Sequence, residues 1–276
     1  MIPRPGEGVK LEKLFFIFNW LISPTRAHMK PRPSPQSDRD LVAVHSSDLH
    51  IDDVTNRPGA SDGLDMLTAV LTAGRRHQAD VILLAGDTFE SHRLPPALIE
   101  QSAAILADSK LTIAILPGNH DPVIPEAVYH QRSLREIDNV HVLGVTCPDA
   151  LLFSHLDLEI WGRPHLGYDD MLPFERARPR RTRWQIALGH GHYESAPDLT
   201  RHPRPSWLIS DAHLASTAAD YIALGHWNRA AKVGYPTTAY YSGSPDYAQS
   251  VNVVRFCQNG EVRVTREPVP LVRQVD

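Results

Sequence analysis

The chain has 276 residues and a net charge of −4 at pH 7; 42% of its residues are hydrophobic and 22% are charged. This is the composition of an ordinary soluble globular protein, and it excludes a fibrous or largely disordered chain. The acidic balance argues against a dedicated non-specific nucleic-acid binder, so any DNA contact has to use a local patch. The two cysteines, Cys147 and Cys257, exclude a disulfide framework and a cysteine-rich zinc site, and they fit a reducing, cytoplasmic compartment.

Residues 1–38 differ from the rest of the chain. Their apolar run, residues 14–22, falls well short of the roughly 20 residues that span a bilayer, so we expect no membrane association. Three interpretations stay open for this leader: a disordered tail or an artefact of a true start at Met29, a docked helix, or a targeting segment. We expect residues 39–276 to form one domain.

From Leu41 onward, short apolar runs end abruptly in Asp, Asn or His. Runs rich in Val, Ile and Leu that are bounded by Gly or Pro predict buried strands. Five segments follow this pattern: LVAVHSSDLH (41–50), VILLAGD (81–87), TIAILPGNHD (112–121), QIALGH (185–190) and YIALGH (221–226).

Amphipathic segments between the early runs predict helices over residues 61–77, from Pro95 onward, and over residues 126–137. This alternation of strands and helices predicts an α/β fold with parallel strands. Near the end, Asn259-Gly260 between two alternating runs predicts a β-hairpin. Because functional groups in open α/β sheets gather beyond the carboxyl ends of the strands, we expect the five polar clusters to converge.

The polar clusters supply carboxylate, amide and imidazole groups but no thiolate, which suits Mn²⁺, Fe or Zn²⁺. Each cluster alone has an ordinary explanation, such as a helix cap, a turn or a core histidine. Together they hold more ligands than one tetrahedral zinc needs, which favours two metals bridged by a carboxylate. The candidate residues are Asp48, His50, Asp87, Asn119, His120, Asp121, His190 and His226.

The order D-x-H, G-D, G-N-H-D, G-H and G-H resembles the calcineurin-like metallophosphoesterase superfamily. Within it, DYIALGH (220–226), YYSGSP (240–245) and GDTFESHRLPP (86–96) look like the SbcD-type DNA-repair exonucleases. The resemblance covers about residues 41–250. It implies a four-layer α/β/β/α sandwich with two divalent metal ions, most commonly Mn²⁺, with Fe or Zn²⁺ as alternatives.

The resemblance also implies a role for each candidate. Asp48 and His50 would bind the first metal, and Asp87 would bridge the pair. The second metal would be held by Asn119, His190 and His226. His120 would be the acid that protonates the leaving oxygen or contacts the phosphate, and Asp121 would orient its ring.

The sequence departs from the family pattern at two positions. Gly225-His226-Trp227-Asn228 stands where the family has a second histidine, so Asn228 would complete the first metal site, with His192 as the alternative. Glu90 stands where some of these nucleases carry histidine and many relatives carry aspartate, and its effect on substrate handling is open.

SbcD-type nucleases carry a capping region after the phosphoesterase core, which positions DNA and recruits an ATPase. We expect no such region here, because the chain stops soon after the predicted hairpin. An SbcC-like ATPase partner would therefore lack its usual docking region.

The leading hypothesis is a metal-dependent phosphodiesterase of this DNA-exonuclease-like branch, which uses a hydroxide activated by the two metals. The basic run at residues 176–183 would contact the phosphate backbone through Arg178, Arg180 and Arg181. An equally weighted alternative makes this run a solvated loop that offsets nearby acids. Two other functions are considered: hydrolysis of a small nucleotide or phosphorylated metabolite, and a catalytically silent binding scaffold.

Overall fold

A computed structural model describes residues 39–52, 63–175, 177–197 and 206–269 of the chain. The predicted leader, residues 1–38, lies outside the described residues, as do residues 61–62 at the expected start of the first helix and Arg176 of the basic run. The division into a leader and one domain therefore stays a prediction.

Twelve strands form two sheets in the described part of the chain. In chain order they are β1 (Leu41–Ser46), β2 (Val81–Ala85), β3 (Ile113–Leu116), β4 (Val140–Val142), β5 (Ala150–Phe153), β6 (Leu158–Gly162), β7 (Trp184–His190), β8 (Tyr221–Gly225), β9 (Ala231–Val233), β10 (Ala239–Tyr241), β11 (Ser250–Phe256) and β12 (Val262–Pro268). The first sheet has the order β12-β11-β1-β2-β3-β4, and the second has the order β5-β6-β7-β8-β10-β9.

The strands that carry the predicted polar clusters lie inside these sheets and, within each sheet, run parallel to one another. β1 to β4 are parallel in the first sheet, and β6, β7, β8 and β10 are parallel in the second. Antiparallel strands occupy the flanks: β11 pairs with β1, β12 with β11, β5 with β6, and β9 with β10. The predicted parallel α/β arrangement and the hairpin around Asn259-Gly260 are confirmed.

Helices cover the outer face of each sheet. They are α1 (Gly63–Arg76), α2 (Pro96–Ser109), α3 (Arg132–Arg135), α4 (Asp211–Thr217) and α5 (Pro245–Ala248). Leu67 of α1 and Leu106 of α2 join the apolar cluster on the first sheet, and Leu214 of α4 joins the cluster on the second. The layers are therefore helix, sheet, sheet and helix, as the sandwich prediction requires.

Alternation within the strands explains why the two sheets stack. Val42 and Val44 of β1 face the helices, while Leu41 and Ala43 belong to the cluster shared by the two sheets. Since successive side chains point to opposite faces, both faces of a central strand are buried. Each such Leu, Ile or Val contributes about 1.5–3 kcal/mol by leaving water.

The third predicted helix, residues 126–137, is wrong as a continuous helix. The segment holds a 3₁₀ turn, Val128–His130, followed by the single-turn α3. Gln131 between them has extended backbone angles, φ −59° and ψ 135°, which break the helix. The backbone N–H of Val128 donates to Nδ1 of His92, a tertiary contact that the local periodicity does not contain. None of the helices in the described ranges meets the length and hydropathy needed to cross a bilayer.

Candidate metal centre

Polar side chains follow the carboxyl ends of five strands, three in the first sheet and two in the second. Asp48 follows β1, Asp87 follows β2 and Asn119 follows β3. His190 is the last residue of β7, and His226 comes directly after β8. Because β2 packs against both β7 and β8 across the sheet interface, these ends meet at one edge of the sandwich.

The backbone at this edge is strained. Asp48, His50, Asp87 and His226 have positive φ values of 55°, 47°, 52° and 102°. Such conformations cost a non-glycine residue about 1–3 kcal/mol and cluster at functional sites. Backbone hydrogen bonds hold them in place, since Asp48 N–H donates to Gly86 O and His50 N–H donates to Asp87 O, both at 3.0 Å.

The first group of candidate ligands is Asp48, His50 and Asp87, whose ligand atoms lie within 4.8 Å of one another. Nε2 of His50 is 4.0 Å from Oδ1 of Asp48 and 4.0 Å from Oδ2 of Asp87. The carboxylate of Asp48 accepts hydrogen bonds from the Ser47 hydroxyl at 2.5 Å and from His226 N–H at 3.0 Å. These contacts fix its orientation toward the imidazole.

The second group is Asp87, His190 and His226, again within 4.8 Å. Nε2 of His190 lies 3.1 Å from Oδ2 of Asp87 and 3.1 Å from Oδ1 of Asn119, so the amide joins this group. The rings of His190 and His226 are 5.3 Å apart. Asp87 belongs to both groups and is the carboxylate that lies between them.

Imidazoles, rather than lysine or arginine, are the basic partners of the carboxylates at this edge in the described part of the chain. Asp48 and Asp87 are each 2% exposed, and among the described residues neither pairs with a lysine or an arginine. Burial raises the pKa of Asp48, and the nearby charge of Asp87 raises it further against the opposing effect of His190. Burial acts in the same direction on Asp87, but the surrounding imidazoles, His190 foremost, outweigh it and lower its pKa.

The two histidines of the second group respond in opposite directions. Burial alone would lower the pKa of His190, but the charge and hydrogen bond of Asp87 raise it to about 9. For His226, burial and then the charge of His190 lower the pKa to about 3. Two buried carboxylates that repel each other and are surrounded by imidazoles form a donor set that divalent cations would neutralise.

Comparisons with known proteins agree with this geometry. The family model described as calcineurin-like phosphoesterase matches residues 41–262. The chain belongs to the calcineurin-like phosphoesterase family. Its membership confirms the predicted sandwich fold and the predicted enzyme class, a phosphoester hydrolase.

Similar curated proteins are the SbcD subunits of the nuclease SbcCD. The one from Bacillus subtilis (strain 168) is 26% identical over 261 residues, which cover 76% of this chain and 65% of that protein. The one from Escherichia coli (strain K12) is 23% identical over 241 residues, which cover 73% of this chain and 60% of that protein. The chain thus spans less than two thirds of the length of these relatives. A solved crystal structure, 10% identical, covers 84% of the chain with a TM-score of 0.52, a likeness of fold alone.

Two other candidate residues of this phosphoesterase occupy different surroundings. His120 lies at the rim, where its backbone N–H donates to Oδ1 of Asp87 at 2.9 Å. Asp121 is fully buried, and its carboxylate accepts from Gly118 N–H, Phe89 N–H and the Tyr129 hydroxyl. None of these contacts reaches the ring of His120, so the structure does not support the orienting role that the sequence suggested for Asp121. Its contacts instead hold the turn after β3.

Glu90 takes the place beside His120 that was expected for Asp121. Its Oε2 is 2.6 Å from Nδ1 of His50, and its carbonyl oxygen is 3.2 Å from Nδ1 of His120. The sequence marked Glu90 as a departure but could not assign its contacts. They depend on a bridge between Ile51 and Phe89, which joins segments almost 40 residues apart.

The two candidates for completing the first group stay unresolved. Asn228 is exposed, and its backbone carbonyl accepts from Ser244 N–H at 3.1 Å. His192 is half-buried, and its Nδ1 accepts from Nε1 of Trp227 at 3.1 Å. Three three-residue groups of possible ligands occur in the described ranges, the third being His50, Glu90 and His120, and His192 belongs to none of them.

The basic run lies at the opposite end of β7 from the metal centre. Arg178 and Arg181 pair with Glu159 of β6, which is fully buried, and Arg180 pairs with Asp220 at 2.8 Å. The structure therefore does not bring Arg178, Arg180 and Arg181 to the candidate ligands. Their contacts fit the alternative interpretation, a loop that offsets nearby acids.

Proposed function

We propose that this chain is a phosphodiesterase that depends on two divalent metal ions. Asp48, His50 and Asp87 would hold the first ion, with Asn228 as a further ligand. The second would be held by Asp87, Asn119, His190 and His226. The observation that carries the proposal is the membership of Asp87 in both ligand groups, because a carboxylate shared by two sites is the usual bridge of a dinuclear centre.

The donor set fits such ions. It offers carboxylate, amide and imidazole groups in a buried pocket whose negative charge has no arginine or lysine partner among the described residues. Oxygen and nitrogen donors without thiolate favour Mn²⁺, with Fe or Zn²⁺ as alternatives. When bound, two such ions lower the pKa of a water and offset negative charge on the phosphorus centre.

His120 and Asn119 are the proposed contacts to the phosphoester. His120 is 38% exposed at the mouth of the site, where an imidazole can act as a general acid toward a bound phosphoester. Its Nδ1 donates to the carbonyl of Glu90, so the proton for the leaving oxygen would come from Nε2 of the imidazolium form of His120, which carries a proton on both nitrogens and becomes neutral on giving this one up.

We further propose a DNA-exonuclease-like substrate and an SbcC-like ATPase partner, on the basis of the similarity to SbcD of the nuclease SbcCD. A second candidate is a small nucleotide or phosphorylated metabolite. It is favoured by the net charge of −4 and by the ion pairs that occupy Arg178, Arg180 and Arg181. Both free cysteines, Cys147 and Cys257, fit a cytoplasmic location.

The test is hydrolysis of bis-p-nitrophenyl phosphate by chelator-treated protein. We expect no turnover without metal and recovery with Mn²⁺. His120→Ala should lower turnover of a phosphodiester with a poor leaving group about 100-fold or more, and that of bis-p-nitrophenyl phosphate much less, while the bound metal stays the same. No recovery with Mn²⁺, Fe²⁺ or Zn²⁺ would contradict the enzyme and favour a binding scaffold.

A substrate panel separates the two candidate functions. Cleavage of single- or double-stranded DNA supports the nuclease, and cleavage restricted to a mononucleotide ester supports the metabolite enzyme. The first site should be the weaker of the two Mn²⁺ sites, because the neutral amide of Asn228 is a poorer ligand than an imidazole. Asn228→His should therefore tighten this weaker site, and unchanged affinity would place Asn228 outside the first site.

A further inference from the structure

Glu90 lies between two imidazoles at the rim of the metal centre. Its Oε2 is 2.6 Å from Nδ1 of His50, and its Oε1 is 3.5 Å from Nδ1 of His120. The backbone carbonyl of Glu90 is 3.2 Å from the same nitrogen of His120. The two rings meet edge to face, with centroids 4.8 Å apart and planes at 87°. One residue therefore contacts the Nδ1 atoms of both rings.

These contacts determine which nitrogen of each ring carries the proton. Carboxylate and carbonyl oxygens only accept hydrogen bonds, so Nδ1 of both rings has to be the donor. In a neutral His50, Nε2 then keeps its lone pair, and this atom lies 4.0 Å from both Asp48 and Asp87. Glu90 thus directs the ligand atom of His50 toward the first group.

In the second group, a backbone carbonyl rather than a side chain accepts the Nδ1 proton of His190. Its Nδ1 lies 2.9 Å from the carbonyl oxygen of Ala85, and the ring is fully buried. That carbonyl belongs to β2 and cannot be lost by a side-chain change. His50 is 30% exposed and relies on a carboxylate that is itself 41% exposed. The imidazole of His50 therefore depends on a replaceable side chain, whereas that of His190 does not.

We propose that Glu90 is a positioning residue for the first metal site. Its carboxylate accepts the Nδ1 proton of His50, which leaves Nε2 of that ring as the ligand atom. Carboxylates in this position orient metal-binding histidines, and their loss typically lowers metal affinity 10–100-fold. The consequences for metal affinity and turnover rest on the proposed function, whereas the tautomer of His50 does not.

The direct test reads the tautomer of His50 in metal-free protein by long-range correlation of its ring nitrogens and protons in NMR. Wild type should show the Nδ1–H form. Glu90→Gln keeps an acceptor oxygen and should retain it, while Glu90→Ala should shift His50 toward the Nε2–H form. Glu100→Ala removes an exposed glutamate of α2 and serves as the matched control. An unchanged tautomer in Glu90→Ala overturns the proposal.

Mn²⁺ titration then measures the consequence for the ligand groups. Glu90→Ala should weaken the weaker of the two Mn²⁺ sites about 10–100-fold and leave the other within about twofold, with Glu90→Gln between it and wild type. Equal weakening of both sites, or of neither, contradicts the assignment to His50. Wild-type protein that binds no divalent cation contradicts the proposed function, and the tautomer measurement still decides the role of Glu90.

Discussion

The two ends of β7 carry opposite kinds of electrostatic environment. At its start, the buried carboxylate of Glu159 is neutralised by Arg178 and Arg181, and Gln185 donates to it at 3.1 Å. At its end, His190 meets Asp87 in a pocket that Asp48 also enters, with no lysine or arginine paired to either carboxylate among the described residues.

The comparison distinguishes charges that stabilise the fold, at the start of β7, from charges that serve a function, at its end. At the start of β7 the charge of Glu159 is paired with two arginines, although Oε1 of Gln185 has no hydrogen-bond partner among the described residues and Asp157 has a positive φ of 49°. At the other end, four residues hold strained backbone conformations and two buried carboxylates repel each other. Strained backbone and repelling carboxylates both lower the stability of the fold, so we expect them to be kept where function requires them.

The largest expected effect comes from removing the shared carboxylate. Asp87→Asn keeps the shape but removes the charge that both ligand groups use, so both metal affinities should fall. Loss of several kcal/mol of charge stabilisation corresponds to a decrease in turnover of about 1000-fold or more. Metal analysis and bis-p-nitrophenyl phosphate hydrolysis measure both effects. One ion retained at full affinity would show that Asp87 is not a bridge.

The matched change at the start of β7 should lower stability and leave metal binding and turnover unchanged. Glu159→Gln removes a buried charge on which two arginines depend, and we expect it to cost about 2 kcal/mol of unfolding free energy. Mn²⁺ affinity and turnover should stay at the wild-type level because the site lies at the far end of the strand. Urea denaturation and metal titration of the same preparation check both parts. A loss of metal affinity would mean that the two ends are coupled.

The strands and their polar ends could be predicted from the sequence because both signals are local. A run such as Val81–Ala85 is apolar throughout, and the Gly-Asp pair that follows it marks the end of the strand. The convergence of Asp48, Asp87, His190 and His226 then follows from the rule that parallel strands carry function at their carboxyl ends.

The contacts that could not be predicted depend on how distant segments align. Glu90 reaches His50 because Ile51 pairs with Phe89, and Asp121 is drawn away from His120 by the hydroxyl of Tyr129. The basic run drew attention through its composition, but its partners, such as Glu159, stand elsewhere in the sequence. For Glu90, Asp121 and the basic run, the residue type indicated the chemistry, but the alignment of segments that are distant in sequence determined which atoms are in contact.

A smaller expected effect is the pH dependence of stability that comes from His45, an imidazole inside the sandwich and away from the metal centre. His45 of β1 is fully buried, and burial lowers its pKa to about 3, although Nδ1 lies 2.9 Å from the Tyr221 hydroxyl. Between the ordinary pKa of about 6.5 and this value, the unfolded chain binds a proton that the native protein does not. Burial of His45 therefore does not lower the free energy of unfolding above about pH 6.5, and it lowers it by about 1.4 kcal/mol per pH unit below that pH.

His45→Gln removes this titration while keeping a polar side chain. Urea denaturation at pH 6.0 and 5.0 should show a decrease in unfolding free energy that is smaller in the variant than in wild type by roughly 1 kcal/mol. His77→Gln, a partly buried histidine of the chain segment after α1, provides the control. Equal pH slopes for wild type and His45→Gln would show that His45 is protonated in the native protein.

The smallest effect concerns the arginine that is paired most completely. Arg180 forms two contacts with Asp220, at 2.8 and 3.2 Å, and donates to the carbonyls of Arg183 and Ala218. Because the pair is partly exposed, Arg180→Ala should cost less than about 1 kcal/mol. If the run takes no part in substrate binding, DNA cleavage and its salt dependence should not change. Arg229, exposed three residues after His226, is the matched arginine at the other end of the sandwich. The measured quantity is the slope of log affinity for DNA against log salt concentration. A slope reduced by about one in Arg180→Ala, and unchanged in Arg229→Ala, would show that the basic run contacts the DNA and that the start of β7, not its end, binds the substrate backbone.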